Sequence, residues 1–474
     1  MTTAQQLLTL DSCRALALRN NKQLSIARVK QEVATNMRKS ARTKYLPHVS
    51  ILGGYEWTSR EISILSDEQK EMLSNAGTNS ANSIISAATP YAQILPAPLQ
   101  AKLGSDLMGV AAGIDQTGQK VVDAFRTDTR NMFAAAVTVT QPVFMGGAIT
   151  AMNRMADIGE QMAANSTESS RQNTLYNIDK AYWQVVSLRH KQKLALAYLE
   201  LVKKLDDDVQ KMIAEGVATR SEGLSVNVKV NEAEMTLTQV NDGLTLSKML
   251  LCQLCGLPLD EQVTLADENA DSLVVGTSDN SSIASTADAV SNRAELKMLQ
   301  NTVDMSRQLT NILKAGNLPQ VLLMGGYAVT NPNVFNSFER KFGGFWNLGV
   351  MVRIPVWNWG DVAYKVRASK GATSIATLEL DEAREKIELQ VSQSAFQLSE
   401  ANKKLAMANA STERADENLR TATLGFREGV ITSRTVMEAQ TAWLQAQSQL
   451  IDAKIDVRLS EVNLKKNTGM LGLE

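Results

Sequence analysis

The chain repeats its own landmarks at fixed spacing. Leu46-Pro47 leads to Gly53-Gly54-Tyr55, and Leu318-Pro319 leads to Gly325-Gly326-Tyr327, an offset of 272 residues. Downstream, Pro142-Val143 recurs as Pro355-Val356, Glu215-Gly216-Val217 as Glu428-Gly429-Val430, and Gly256 as Gly469, all at an offset of 213. A spacing held without slip over so long a stretch means two copies of one structural unit. The reading is a first repeat at 1–257, a connecting segment at 258–284 and a second repeat at 285–474. The difference between the offsets, 59 residues, is extra chain in the first copy between its two proline landmarks.

Composition narrows the class. Aromatics are 5 % and prolines number nine, which favours long helices over a large compact α/β core. A net charge of −1 offers no basic surface for nucleic acid. Two histidines and three cysteines argue against a dedicated metal centre or disulfide framework, and no cofactor-binding motif is present. No run of 18 apolar residues encodes a transmembrane helix. The first residues lack a basic stretch followed by an apolar one. Either the protein is not exported, or an export signal has been removed and Met1 is an added start.

Each repeat reads helix, strand, loop, strand, very long helix, tight turn, helix. The first helix is expected from an Asp11 cap to about Lys44, and its counterpart from about Ser285 to Lys314. Strands are expected at about 48–58, 132–144, 320–330 and 345–357. Each alternates apolar and polar residues, as Leu348, Val350 and Val352 do against Asn347, Gly349 and Met351. Ten residues is the length a tilted strand needs to cross a bilayer. Tyr55, Trp57, Phe133, Phe144, Tyr327, Phe345, Trp346 and Trp357 lie near the strand ends, as membrane-interface aromatics do. A soluble sheet with one buried face has the same alternation, so the pattern alone leaves both open. The stretch 59–130, rich in Ser, Ala and Asn, reads as a long surface loop, partly helical around Asp67 to Asn75, with little to bury.

The helical hairpins are expected at 148–256 and 361–469. A 3-4 register puts Ile178, Ala181, Val185, Leu188, Gln192, Ala195, Leu199, Val202, Asp206, Val209 and Ile213 on one seam. Adding 213 gives Val391, Ser394, Leu398, Ala401, Leu405, Ala408, Thr412, Ala415, Leu419, Ala422 and Phe426. That is a coiled-coil seam. Gly216 and Gly429 suit the left-handed position that stops a helix. Thr219 caps the next helix, with Glu222 completing a capping box; Thr432 is the second cap, with Thr435 where the box carboxylate would stand.

Four strands cannot close a barrel, and an open sheet in lipid leaves edges unpaired. If they span a membrane, several chains must pool them. In the order and duplication of its strand entries (Leu46-Pro47, Leu318-Pro319), strand exits (Gln141-Pro142-Val143-Phe144, Ile354-Pro355-Val356-Trp357) and tips at Gly216 and Gly429, the chain resembles the TolC-like outer-membrane efflux proteins. Leu10-Asp11-Ser12-Cys13-Arg14-Ala15-Leu16 with Asn20-Asn21 fits that family's first helix.

The resemblance implies a mainly α fold with β: a long α-helical coiled-coil barrel plus a transmembrane β-barrel formed by trimerisation, four strands per protomer. It implies a homotrimer in outer-membrane lipid with a periplasmic extension and no catalysis. A periplasmic adaptor (membrane fusion protein) docks at the tips, and through it an inner-membrane pump supplies energy for efflux or type I secretion. On this reading Gly216, Val217, Thr219, Arg220, Gly429, Val430 and Thr432 face the adaptor. Glu222, Arg434, Thr435 and Glu438 are the pore and gate candidates. Some family members ring the pore with two aspartates where Thr435 and Glu438 stand here, and place a gate arginine where Ile431 stands. The connecting segment, with short strands expected at Val263-Thr264-Leu265 and Leu273-Val274-Val275, would help belt the tunnel. The competing reading is a soluble coiled-coil scaffold without a transport role. Cys252 and Cys255 read as buried and idle, and His190 as part of a solvated face.

Overall fold

The computed structural model describes residues 6–92, 96–127, 129–269, 291–336 and 339–472. In chain order its elements are β1 (Gln6–Leu8), α1 (Leu10–Asn20), α2 (Lys22–Thr43), β2 (His48–Trp57), α3 (Asp67–Ser74), α4 (Ala76–Ala92), α5 (Ala97–Ala124), β3 (Asn131–Met145), α6 (Ala148–Ala214) and α7 (Arg220–Cys255). There follow β4 (Val263–Leu265), a 3-10 turn (Ala266–Asn269), α8 (Ala294–Lys314), β5 (Gln320–Asn331), β6 (Gly343–Arg353), α9 (Asp361–Arg427) and α10 (Ser433–Asn467). The chain forms two compact units that cut across the repeats: a helical unit of residues 1–41, 150–314 and 360–474, which also holds β1 and β4, and a strand unit of 42–149 and 315–359, which holds the four-stranded sheet and α3 to α5.

In the helical unit, α6 and α9 each have 67 residues and begin and end at positions 213 apart. At 1.5 Å per residue each is about 100 Å long. No seam position in either helix is exposed. Each long helix divides its partners along its length. Its first half packs on the short helix of its repeat: Thr35 on α2 donates to Glu160 at 2.7 Å, and Leu296 and Val303 on α8 pack against Leu380 and Ile387. Its second half packs on the returning helix. Thr412 Oγ1 donates to the Ala446 carbonyl at 3.3 Å, and Lys203 pairs with Glu234 at 2.8 Å. The repeats lie side by side, with Gln440 Nε2 on the Leu201 carbonyl at 3.2 Å and Lys191 on Asp452 at 2.7 Å.

The first helix differs from its sequence reading. Thr9, not Asp11, caps it, and the chain breaks at Asn21 before α2. The break has a use. Asn20 and Asn21 donate to the Cys255 and Leu254 carbonyls, covering the exposed C-terminal end of α7. β1 pairs in parallel with β4, and their Leu8, Val263 and Leu265 join Ile178, Tyr182 and Val185 in the largest core. Beside it, the carboxylate of the fully buried Asp179 is held by both arms of Arg14 at 2.8 and 2.7 Å. Glu268 accepts from the Leu265 amide and pairs with Lys248 at 2.7 Å. The expected strand at 273–275 lies outside the described residues.

The strand unit corrects the reading of 59–130. The helix expected at Asp67 to Asn75 is present as α3, but most of the remainder, read as loop, forms two further helices, α4 and α5. Its small residues, read as a mark of loop, serve helix packing: Gly77 sits against the Ala111 carbonyl and Gly118 against that of Leu73, where any Cβ would collide. Asp115 on α5 accepts from the Gly77 amide at 2.7 Å and from Thr78, capping α4 from outside. The sheet runs β2-β3-β5-β6, all antiparallel.

His190 is not on a solvated face. Its Nε2 is buried without a partner, and burial, with Lys193, Lys454 and Arg189 nearby, holds its pKa below the ordinary histidine value. A hydrogen bond with the Asp267 backbone works weakly the other way. The unfolded chain therefore binds a proton that the fold resists, and stability falls as pH drops through about 6.5. Between pH 7.5 and 5.5 the thermal midpoint should fall for the native chain, and by less for His190→Gln; equal slopes would remove His190 from the account.

Candidate functional site

Two surfaces meet the functional expectations. The first is one face of the sheet. The register aligns Ile51 with Val137, Val137 with Tyr327 and Tyr327 with Trp346; two residues along, it aligns Val49 with Val139, Val139 with Gly325 and Gly325 with Leu348. Alternation therefore puts Val49, Ile51, Val137, Val139, Tyr327, Trp346, Leu348 and Val350 on one continuous face. It is uncovered in the single chain: Ile51 is 79 % exposed and Leu348 68 %. The opposite face carries Ser50 and Thr138, joined at 2.6 Å, with Thr140, Asn347 and Arg353. A soluble sheet would bury the apolar face, and this one does not.

The aromatics separate by position. Tyr55 and Phe133 pack as tilted rings, centroids 4.7 Å apart, on the apolar face, with Trp57 beyond them and Trp346 exposed beside Tyr327. Phe144 lies on that face at the other end, past a bulge at Pro142. Phe345 does not belong with them. As the neighbour of Trp346 it points the other way, and it packs on Phe335 at 4.5 Å. Trp357 lies outside the sheet, because β6 stops at Arg353 rather than 357. It packs on Trp359 at 5.6 Å, an aromatic partner the strand pattern does not reveal.

The second surface is the pair of tips. Gly216 and Gly429 have φ of 74° and 77°. In one tip the Val217 amide bonds the Met212 carbonyl at 2.8 Å and Gly216 bonds Ile213 at 3.0 Å; in the other Val430 bonds Gly425 at 2.9 Å and Gly429 bonds Phe426 at 3.0 Å. These are matching Schellman closures. Thr219 and Glu222 form a full capping box, the Glu222 carboxylate accepting from the Thr219 amide at 2.8 Å. Thr432 caps α10 through the Thr435 amide at 3.5 Å. Beneath, one core joins both tips: Leu205, Val209 and Val226 with Phe426, Val436 and the partly buried Ile431. Ile431, where a gate arginine was expected by resemblance, is part of that core.

Val217 and Val430 project from the turns, 71 % and 80 % exposed, and Arg220 is exposed at the start of α7. The gate candidates are already engaged within the chain. Glu222 is held by its own helix start, as the capping-box spacing predicts, and Glu438 lies 3.4 Å from Arg434, one turn away. Thr435 shares its hydroxyl with Thr432. The three cysteines are buried in the largest core, with Cys255 Sγ on the Cys13 carbonyl at 3.8 Å. Among the described residues no cluster of His, Cys, Asp or Glu is arranged to hold a metal, and no helix is long and apolar enough to cross a membrane.

The model of the outer membrane efflux protein family matches residues 106–257 and 286–470, most of both repeats. The chain belongs to the outer membrane efflux protein family. It is 20 % identical over 351 residues to outer membrane protein TolC of Vibrio cholerae, covering 72 % of this chain and 77 % of that one. It is 22 % identical over 256 residues to the proteases secretion protein PrtF of Dickeya chrysanthemi, covering 53 % and 55 %. Among solved structures, the CmeC outer membrane channel of Campylobacter jejuni superposes with a TM-score of 0.75 at 14 % identity, over 97 % of this chain and 85 % of that one. VceC of Vibrio cholerae gives 0.73 at 14 % identity, over 97 % and 96 %. These likenesses establish the fold: mainly helical, with a small antiparallel sheet.

The capping difference between tips is measurable. Thr219→Ala removes a full box and should cost about 1 kcal/mol locally. Amide exchange at Glu222 and Gly223 should then rise about fivefold. Thr432→Ala, with a longer bond and no box, should raise exchange at Thr435 by less; the reverse order would contradict the geometry.

Proposed function

We propose that the protein is the outer-membrane exit duct of a tripartite efflux or type I secretion system, conducting substrates passively from the periplasm to the exterior. The observation that carries this is the uncovered apolar face on a sheet whose outer strands, β2 and β6, each pair on one side only. Both faults are cured together if β2 of one chain pairs with β6 of the next in lipid. Three chains then give a twelve-stranded barrel, and the hairpins of three chains give the periplasmic tunnel.

The duct does its work by geometry. The apolar face and its aromatics seat the barrel, the Ser and Thr face lines the water-filled side, and nothing on the route needs to react. Val217 and Val430 on rigid glycine turns are suited to dock an adaptor. The side-by-side tips present them as a pair, and the acidic and basic side chains of Glu438 and Arg434 stand near the same end. The scaffold reading lacks any account of the exposed sheet.

Planar-bilayer recording tests the duct itself: detergent-solubilised protein should run as a trimer and give stepwise conductance, and a monomer that never conducts would refute the reading. The docking step is separable. Val217→Asp with Val430→Asp should leave trimer and conductance intact. It should weaken adaptor binding by roughly 2 kcal/mol or more, about 30-fold. Unchanged affinity by calorimetry would move the docking surface elsewhere.

A further inference from the structure

The connection between β2 and β3 carries an apolar surface that the single chain leaves open. α4 contains no charged residue. α5 packs on α3 and α4 through Ala111, Asp115 and Gly118. About a quarter turn round the same helix lies a second stripe: Leu103, Val110, Ile114, Thr117 and Val121. Leu103, Val110 and Ile114 are 49 %, 62 % and 45 % exposed. Leu73 and Ala76 flank the stripe around a groove of about 460 Å³. The steps of seven, four, three and four residues are those of a coiled-coil seam.

We propose that this stripe is covered by the same helix of sister chains, so that three copies of α5 meet in a small helical assembly beyond the Trp57–Asn131 end of the β2–β3 ladder. This rests on the trimeric duct proposed above. The chain's own topology favours that occupant. α3 to α5 interrupt the turn that follows β2, the strand that would pair with a sister's β6. Every protomer therefore delivers one copy to the same mouth, at an effective concentration far above that of any free partner. The base is also fixed in direction: Glu61 is held by Arg126 and Arg130 at 2.9 and 2.8 Å, and Thr129 Oγ1 accepts from the Ile62 amide. A lipid surface fits less well. Helices that lie on membranes are rich in Lys and Arg. α4 has neither, and on α5 Lys102 and Lys120 are outnumbered by Asp106, Asp115 and Asp123.

Cysteine cross-linking of the full chain in detergent tests the contact. The native thiols are buried and stay silent. Val110→Cys and Ile114→Cys should give covalent dimers on mild oxidation, roughly tenfold more than Ala112→Cys on the exposed opposite side, and independent of dilution. In trimers of Val110→Glu with Ile114→Glu, trypsin cleavage at Lys102 and Lys120 should rise by a similar factor. Trimers intact by light scattering with no preference for 110 and 114, or with a probe at 110 quenched by brominated lipid, overturn the proposal while leaving the duct standing. Monomers in detergent would remove both.

Discussion

The backbone groups along the outer sides of β2 and β6 constrain everything else. Each strand is paired on one side and offers a row of amides and carbonyls on the other. In water such an edge is a liability, and in hydrocarbon each unmet group costs several kcal/mol. Beside those edges lies a surface of Val, Ile, Leu and Trp that no other part of the strand unit covers. Lipid satisfies the surface, but only a closed ring satisfies the edges.

The helical unit answers a different problem. Helices of about 100 Å cannot be stabilised by propensity alone, so each must bury a seam along its whole length. α6 and α9 do so by changing partners midway, from the short helix of the repeat to the returning one. The small seam residues, such as Ala181, Ser394 and Ala408, allow close approach. The glycine closures then end both hairpins in the same backbone geometry with different caps.

Much of this was legible in the sequence because it is periodic or repeated. The seam, the helix ends and the positive-φ glycines follow from spacing, and the offset of 213 locates them in both copies. The strands were readable in length, but the aromatics of their apolar face only in part: Phe345 and Trp346 are neighbours, and alternation by itself separates them. Three features were hidden. The helices of 76–124 were masked because Gly, Ala and Ser suit both loops and tight packing. Glu438 reads as an open carboxylate, yet it sits 3.4 Å from Arg434, whereas the capping role of Glu222 was visible in its spacing from Thr219. The Arg14–Asp179 and Tyr182–Asp267 pairs, the latter at 2.5 Å, join residues far apart in the chain and leave no local pattern.

The shared core under the tips has a consequence for how such a chain can change length. Leu205 and Val209 come from one copy and Phe426 and Val436 from the other, and they meet only because the two long helices have the same number of residues. Lengthening one hairpin by a heptad would stagger the two ends and part Phe426 from the Leu205 and Val209 it packs with. Growth or shrinkage of the structure is therefore coupled: four helices must gain or lose whole heptads together.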